Sequence, residues 1–190
     1  MKHASSKYVP WLGLLLISGA VRAADGPIVN GQNAENVVGQ TTPGGGPDFD
    51  NVGPYDTALL TGLMLPYGVA IDTTTHRLFV ADAAHRILVY DLNTSNILVD
   101  RTPDHVLGQI DFYGDALATD PNRLYYPVDL DYDAVSNRLF VADYSNSRVL
   151  IFDVTSITDG ENAVHVLGQS DFTERRRAEI PTLRRWGFPR

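Results

Sequence analysis

The hexapeptide Arg77-Leu78-Phe79-Val80-Ala81-Asp82 returns unchanged as Arg138-Leu139-Phe140-Val141-Ala142-Asp143. Leu78 and Val80 alternate with Phe79 and Ala81, so successive apolar side chains leave opposite faces of an extended chain. Working outward, His105-Val106-Leu107-Gly108-Gln109, followed by Asp111-Phe112, returns as His165-Val166-Leu167-Gly168-Gln169 with Asp171-Phe172, at nearly the same offset. Val37-Val38-Gly39-Gln40 is a fainter copy of that second motif. Identities of this length in a chain of 190 residues define a repeat of about 60 residues.

Each unit divides into four short strands separated by turn chemistry. In the first they are predicted at Tyr67 to Asp72, Arg77 to Asp82, Arg86 to Leu92 and His105 to Gln109. In the second they fall at Val128 to Asp133, Arg138 to Asp143, Arg148 to Val154 and Val164 to Gln169. Between residues 60 and 172 no helical apolar period competes with this pattern. Four antiparallel strands per repeat make the blade of a β-propeller. The expected fold class is therefore all-β: about two four-stranded antiparallel blades, preceded by one outer-type strand at Val37 to Gln40.

Two in-register copies of one pattern carry a family resemblance. Pro66-x-Gly68-Val69-Ala70-x-Asp72, Arg77-Leu78-Phe79-Val80-Ala81-Asp82 and Arg86-Ile87-Leu88-Val89-Tyr90-Asp91 together resemble the NHL repeat of β-propellers, over about residues 63–172. The units are longer than that repeat usually is, mainly between Asn93 and Asp104 and between Gln109 and Pro127. Such spacious repeats resemble those of secreted bacterial NHL-type proteins. The resemblance implies a six-bladed ring, of which this chain would hold a fragment.

The segments outside the repeat differ in character. Residues 1–23 read as a secretory signal peptide: Lys2 and Lys7, an apolar centre from Tyr8 to Val21, then Val21 and Ala23 before the cleavage point. The apolar stretch is short for a bilayer span, so an exported protein, periplasmic or extracellular, with no membrane attachment after cleavage, is expected. Residues 24–62 are a Gly/Pro/Asn-rich lead-in; 63–109 form the first blade, and 110–172 the connection and second blade. Residues 173–190 are a basic tail, in which Pro189 follows Pro127 at almost the spacing that separates Pro127 from Pro66. That spacing reads as the start of a further blade, with the reading frame expected to continue past Arg190. Two blades alone would leave bare apolar faces, and such a chain would be expected to self-associate.

Charge narrows the partners. The full chain carries 15 Lys and Arg against 23 Asp and Glu, a net −8. Residues 24–173 hold 6 basic and 21 acidic residues, whereas residues 174–190 hold six Arg and two Glu. An acidic body of this kind repels phosphate backbones, so no nucleic-acid partner is expected. The chain has no cysteine, which excludes disulfide scaffolds, thiolate metal sites and thiol nucleophiles. It also has neither a Gly-x-Ser-x-Gly elbow nor a Gly-x-x-x-x-Gly-Lys phosphate loop.

The residues that remain for chemistry are few. Asp82 with Arg86, and Asp143 with Arg148, flank the same turn in each unit and read as a carboxylate–guanidinium clamp. Gly108, Gln109, Gly168 and Gln169 recur as framework. Asp129, Asp131 and Asp133 share one face of a first strand; oxygen ligands there would suit Ca²⁺, and the plain alternative is a solvated acidic strip. His105 and His165 recur before Val-Leu-Gly-Gln and read as structural, while His76 and His85 lie in turns of the first unit only. His85 resembles in position a zinc-ligand histidine of the peptide-amidating lyase, an NHL-type propeller enzyme, although the second unit has Asn146 and Ser147 there. As an exposed turn residue, it should tolerate alanine at a cost under about 0.5 kcal/mol. The expected function is a secreted binding or scaffold module for a protein or carbohydrate partner, with no firm cofactor. The alternative is a metal-dependent lyase or hydrolase whose site lies in other blades.

Overall fold

The computed structural model describes residue 34, residues 36–40 and residues 62–174. The expected leader and most of both the lead-in and the basic tail lie outside the described residues. Within them are two four-stranded antiparallel sheets, each a simple meander. The first comprises β1 (Pro66–Asp72), β2 (Arg77–Asp82), β3 (Arg86–Asp91) and β4 (His105–Leu107). The second comprises β5 (Pro127–Asp133), β6 (Arg138–Asp143), β7 (Arg148–Asp153) and β8 (His165–Leu167). The register repeats: Asp72 faces Arg77 and Asp82 faces Arg86 in one sheet, Asp133 faces Arg138 and Asp143 faces Arg148 in the other. The protein is all-β, with the two sheets standing as consecutive propeller blades.

The innermost turns follow from their side chains. The Asp72 carboxylate accepts the N–H groups of Thr74 and Thr75 at 2.8 and 3.0 Å, and Asp133 accepts that of Val135 at 2.9 Å. Each turn then closes through a residue in the left-handed region, His76 at φ 61° and Asn137 at φ 52°. Gly68 lets the two inner strands meet, since a Cβ there would stand 2.7 Å from Asp129 Cα.

Alternation along the strands builds the core between the blades. Phe79, Ala81, Ile87 and Val89 turn one way and meet Leu130, Leu139, Val141, Leu150 and Phe152 of the second sheet. Val80, Leu88, Tyr90 and Val106 turn the other way and pack with Val38 and Leu63. Every central strand is thus apolar on both faces, as a blade with neighbours requires.

Two expectations are corrected. Val37 to Gln40 form no strand: they run as coil and bend, and Gly39 sits at φ +88°. A strand needs a ladder partner, and none of the eight described strands pairs with this segment. The fourth strands end at Leu107 and Leu167 instead of running to Gln109 and Gln169. Gly108 at φ +80° and Gly168 at φ +89° leave the extended region there.

Candidate functional site

The Asp–Arg clamps lie inside the protein, with no side-chain exposure in either pair. Arg86 Nε stands 2.9 Å from Asp82 Oδ2, while Asp82 Oδ1 accepts the Met64 N–H at 2.9 Å. Arg86 also donates to the carbonyls of Gly62 and Phe112. In the second blade Arg148 Nε donates to Asp143 Oδ2 at 2.7 Å, and Asp143 Oδ1 accepts the Tyr125 N–H at 2.7 Å. Arg148 further donates to the carbonyls of Thr119, Asp120, Arg123 and Phe172. Burial pushes the Asp143 carboxyl above its ordinary range, opposed by the bonds from Tyr125, Asn146 and Arg148. Each clamp therefore ties the β2–β3 or β6–β7 turn to the long loops, and its donors are spent on protein carbonyls.

The recurrent glutamines serve the same turns. Gln109 donates to the carbonyls of His85 and Ala116 and accepts from Arg123 Nη1 at 2.6 Å. Gln169 donates to the carbonyls of Asn146 and Ser147. This correspondence makes Ser147, at φ 53°, the counterpart of His85, at φ 63°.

His85 is half-buried at the seam between blades. Its Nδ1 accepts the Tyr126 N–H at 3.0 Å, and its ring meets Tyr125 edge-on at 5.3 Å. Tyr126, itself in the left-handed region at φ 63°, shares a hydroxyl–hydroxyl bond of 2.8 Å with Tyr67 across the seam. Sequence reasoning misses this cluster. A signal for it exists, since Tyr125 and Tyr126 stand before Pro127 where the first unit has Met64 and Leu65 before Pro66. Beside Tyr125 lies a cavity of about 370 Å³, lined by Leu117, Ala118, Thr119 and Asn146. Tyr113 and Tyr144 are largely exposed.

The expected tolerance of His85 to alanine is thus corrected, because the side chain is an acceptor for a partly buried N–H. His85→Ala is expected to destabilise the chain by about 1–2 kcal/mol, measured by urea unfolding. Burial also holds the imidazole below its ordinary pKa, against the pull of Asp115, Asp82 and Asp143. Folding therefore favours the neutral ring. Its contribution is complete above the ordinary histidine value of about 6.5 and is lost as pH falls below it. Melting temperature should decline on acidification through that range, and His85→Gln should remove that part of the slope.

The other candidates separate. Asp129 and Asp131 are exposed on β5, with Asp129 bonded to the Leu130 N–H, whereas Asp133 closes the β5–β6 turn. The Ser136 hydroxyl, then the Val135 N–H, hold the Asp133 carboxyl below its ordinary range. Among the described residues no three His, Asp or Glu side chains gather into a group that could hold a metal ion. His105 Nδ1 stands 3.2 Å from Asp159 of the second blade, while His165 is exposed. His76 Nδ1 bonds Asn96 at 2.6 Å.

Residues 124–152 match the family model of the NHL repeat. The chain is similar to an NHL repeat there. The matched stretch runs from Leu124 to Phe152 and contains both the Tyr125–Tyr126 pair and the Asp143–Arg148 clamp. The first sheet reproduces its register one unit earlier in the chain. A search of curated proteins finds no match to the chain.

Proposed function

We propose that this protein is an exported β-propeller module that binds a protein or carbohydrate partner through the tyrosine-lined end of its blades. The NHL repeat supports the broader reading of a protein-interaction module. The observation that carries the finer one is the Tyr67–Tyr126 hydroxyl pair bridging the seam, with Tyr67 about half exposed and the cavity beside Tyr125. Tyrosine offers apolar area with a polar tip at low entropic cost, which suits recognition. The clamps beneath hold these rings on a rigid platform and take no part in contact.

Wild-type protein screened against glycans and secreted proteins should retain a ligand that Tyr67→Ala and Tyr144→Ala each weaken tenfold or more, the loss of a hot-spot residue. Val135→Ser, at the opposite end of the sheets, should bind normally. Binding that ignores the tyrosines would remove the proposal, and stoichiometric zinc in purified protein would favour the enzyme alternative.

Export rests on the leader. N-terminal sequencing of secreted protein should begin Ala24-Asp25-Gly26-Pro27; an intact Met1 on the mature species would refute cleavage after Ala23.

A further inference from the structure

The two units differ at the turn that each clamp closes. Asp82-Ala83-Ala84-His85-Arg86 of the first is Asp143-Tyr144-Ser145-Asn146-Ser147-Arg148 in the second, one residue longer. Tyr144–Asn146 winds into one turn of 3-10 helix, and Ser147 closes it in the left-handed region at φ 53°. A buried amide thereby stands beside the second clamp, where the first unit has only buried alanines.

Asn146 is completely buried, yet only half of its amide is bonded. Its Nδ2 donates to Asp143 Oδ2 and to the carbonyl of Ala118, both at 2.9 Å. Its Oδ1 is buried and meets no donor among the described residues. Folds rarely keep an acceptor in that condition, because burial strips its water and returns nothing. The clamp itself does not require the amide, since Asp82 and Arg86 pair at 2.9 Å without one.

Asn146 is also a wall of the cavity of about 370 Å³, with Leu117, Ala118, Thr119 and Tyr125. Leu117 to Thr119 belong to the connection between Gln109 and Pro127, where the units exceed the usual repeat. The volume lies in the range of small-ligand pockets. None of the five side chains is charged, so an ion would lose its water without gaining a counter-charge. Asp143 is already bonded by the Tyr125 N–H, Asn146 and Arg148. An anion would in addition face the acidic body of residues 24–173. The lining instead asks for neutral donors. Asn146 Oδ1 lacks one, and the Thr119 hydroxyl, whose proton goes to the Thr173 carbonyl, is a second acceptor. Leu117, Ala118 and the Tyr125 ring supply apolar surface beside them. A pyranose ring joins an apolar C–H face to a rim of hydroxyl donors.

We propose that this cavity binds one neutral sugar residue, with a hydroxyl donating to Asn146 Oδ1. The inference rests on the partner-binding reading of the tyrosine-lined end and narrows its partner to a neutral saccharide.

The full chain, isotope-labelled, is titrated with methyl glycosides of glucose, galactose, mannose and N-acetylglucosamine and with their neutral oligosaccharides. At least one series should saturate and shift the Asn146 side-chain amide resonance. Asn146→Ala should weaken that binding tenfold or more. Leu117 is 53% exposed, so Leu117→Trp should fill the cavity and abolish binding with the urea midpoint unchanged. Preference for sulfated or sialylated glycans would overturn the neutral assignment. Saccharide binding that leaves the Asn146 amide unmoved, or that survives Leu117→Trp, would overturn the cavity site while the tyrosine surface stands. So would a protein partner retained through Tyr67 by a chain that binds no saccharide. A chain that retains neither saccharide nor protein would overturn both readings.

Discussion

Replacing Arg148 with alanine is expected to cost about 3–5 kcal/mol, the largest loss from a single side chain in the second blade. The guanidinium is buried and bonded to the Asp143 carboxylate and to the carbonyls of Thr119, Asp120, Arg123 and Phe172. Its removal strands a buried carboxylate and several carbonyls in one step. Arg148→Lys should recover only part of the loss, because a single ammonium cannot reproduce the fork that reaches the loop on several sides. Asp143→Leu with Arg148→Met should be less damaging than Arg148→Ala alone, since no lone charge is left inside. Urea unfolding followed by circular dichroism reads all three. A cost below about 1 kcal/mol for Arg148→Ala would place the pair among exposed ion pairs and contradict its burial.

Gly108→Ala is the second large effect, expected at about 2–5 kcal/mol from two independent costs acting together. One is an alanine held at φ +80°, and the other is a methyl driven into Leu124. They can be separated. Leu124→Ala alone leaves a cavity in the core between the blades and should cost about 2–5 kcal/mol. In the double variant the clash disappears and the new methyl occupies part of the space, so the combined loss should fall below the sum of the single losses. Strict additivity would mean that only backbone conformation makes Gly108 necessary.

The strands are legible in the sequence because their information is local and repeated. Arg77 to Asp82 and Arg138 to Asp143 read as strands from their own alternation, and β2 and β6 occupy those residues. The fourth strands read too long in the sequence, since only backbone dihedrals reveal where Gly108 and Gly168 leave the extended region. The leading strand at Val37 to Gln40 rests on motif likeness. A strand also needs a neighbour offering backbone groups at the right register, and motif likeness does not supply one. The candidate site is less legible. Asp82, Arg86, Asp143 and Arg148 are visible as recurring pairs. The contacts of Tyr126 with Tyr67 and with His85 join residues far apart in the chain and exist only once two blades are packed.

One comparison separates what local sequence decides from what packing decides. The hexapeptide is identical in both units and forms the same strand with the same partners, because alternation and turn-forming aspartates act within a few residues. Its burial nevertheless differs. Phe79 is fully buried under the second sheet and stacks at 6.1 Å on Tyr132, while Phe140 in the same hexapeptide remains half-buried. Strand formation was thus determined by sequence alone. How much apolar surface each copy removes from water, and so how strongly each blade is held, was decided only by the neighbour the tertiary structure sets against it.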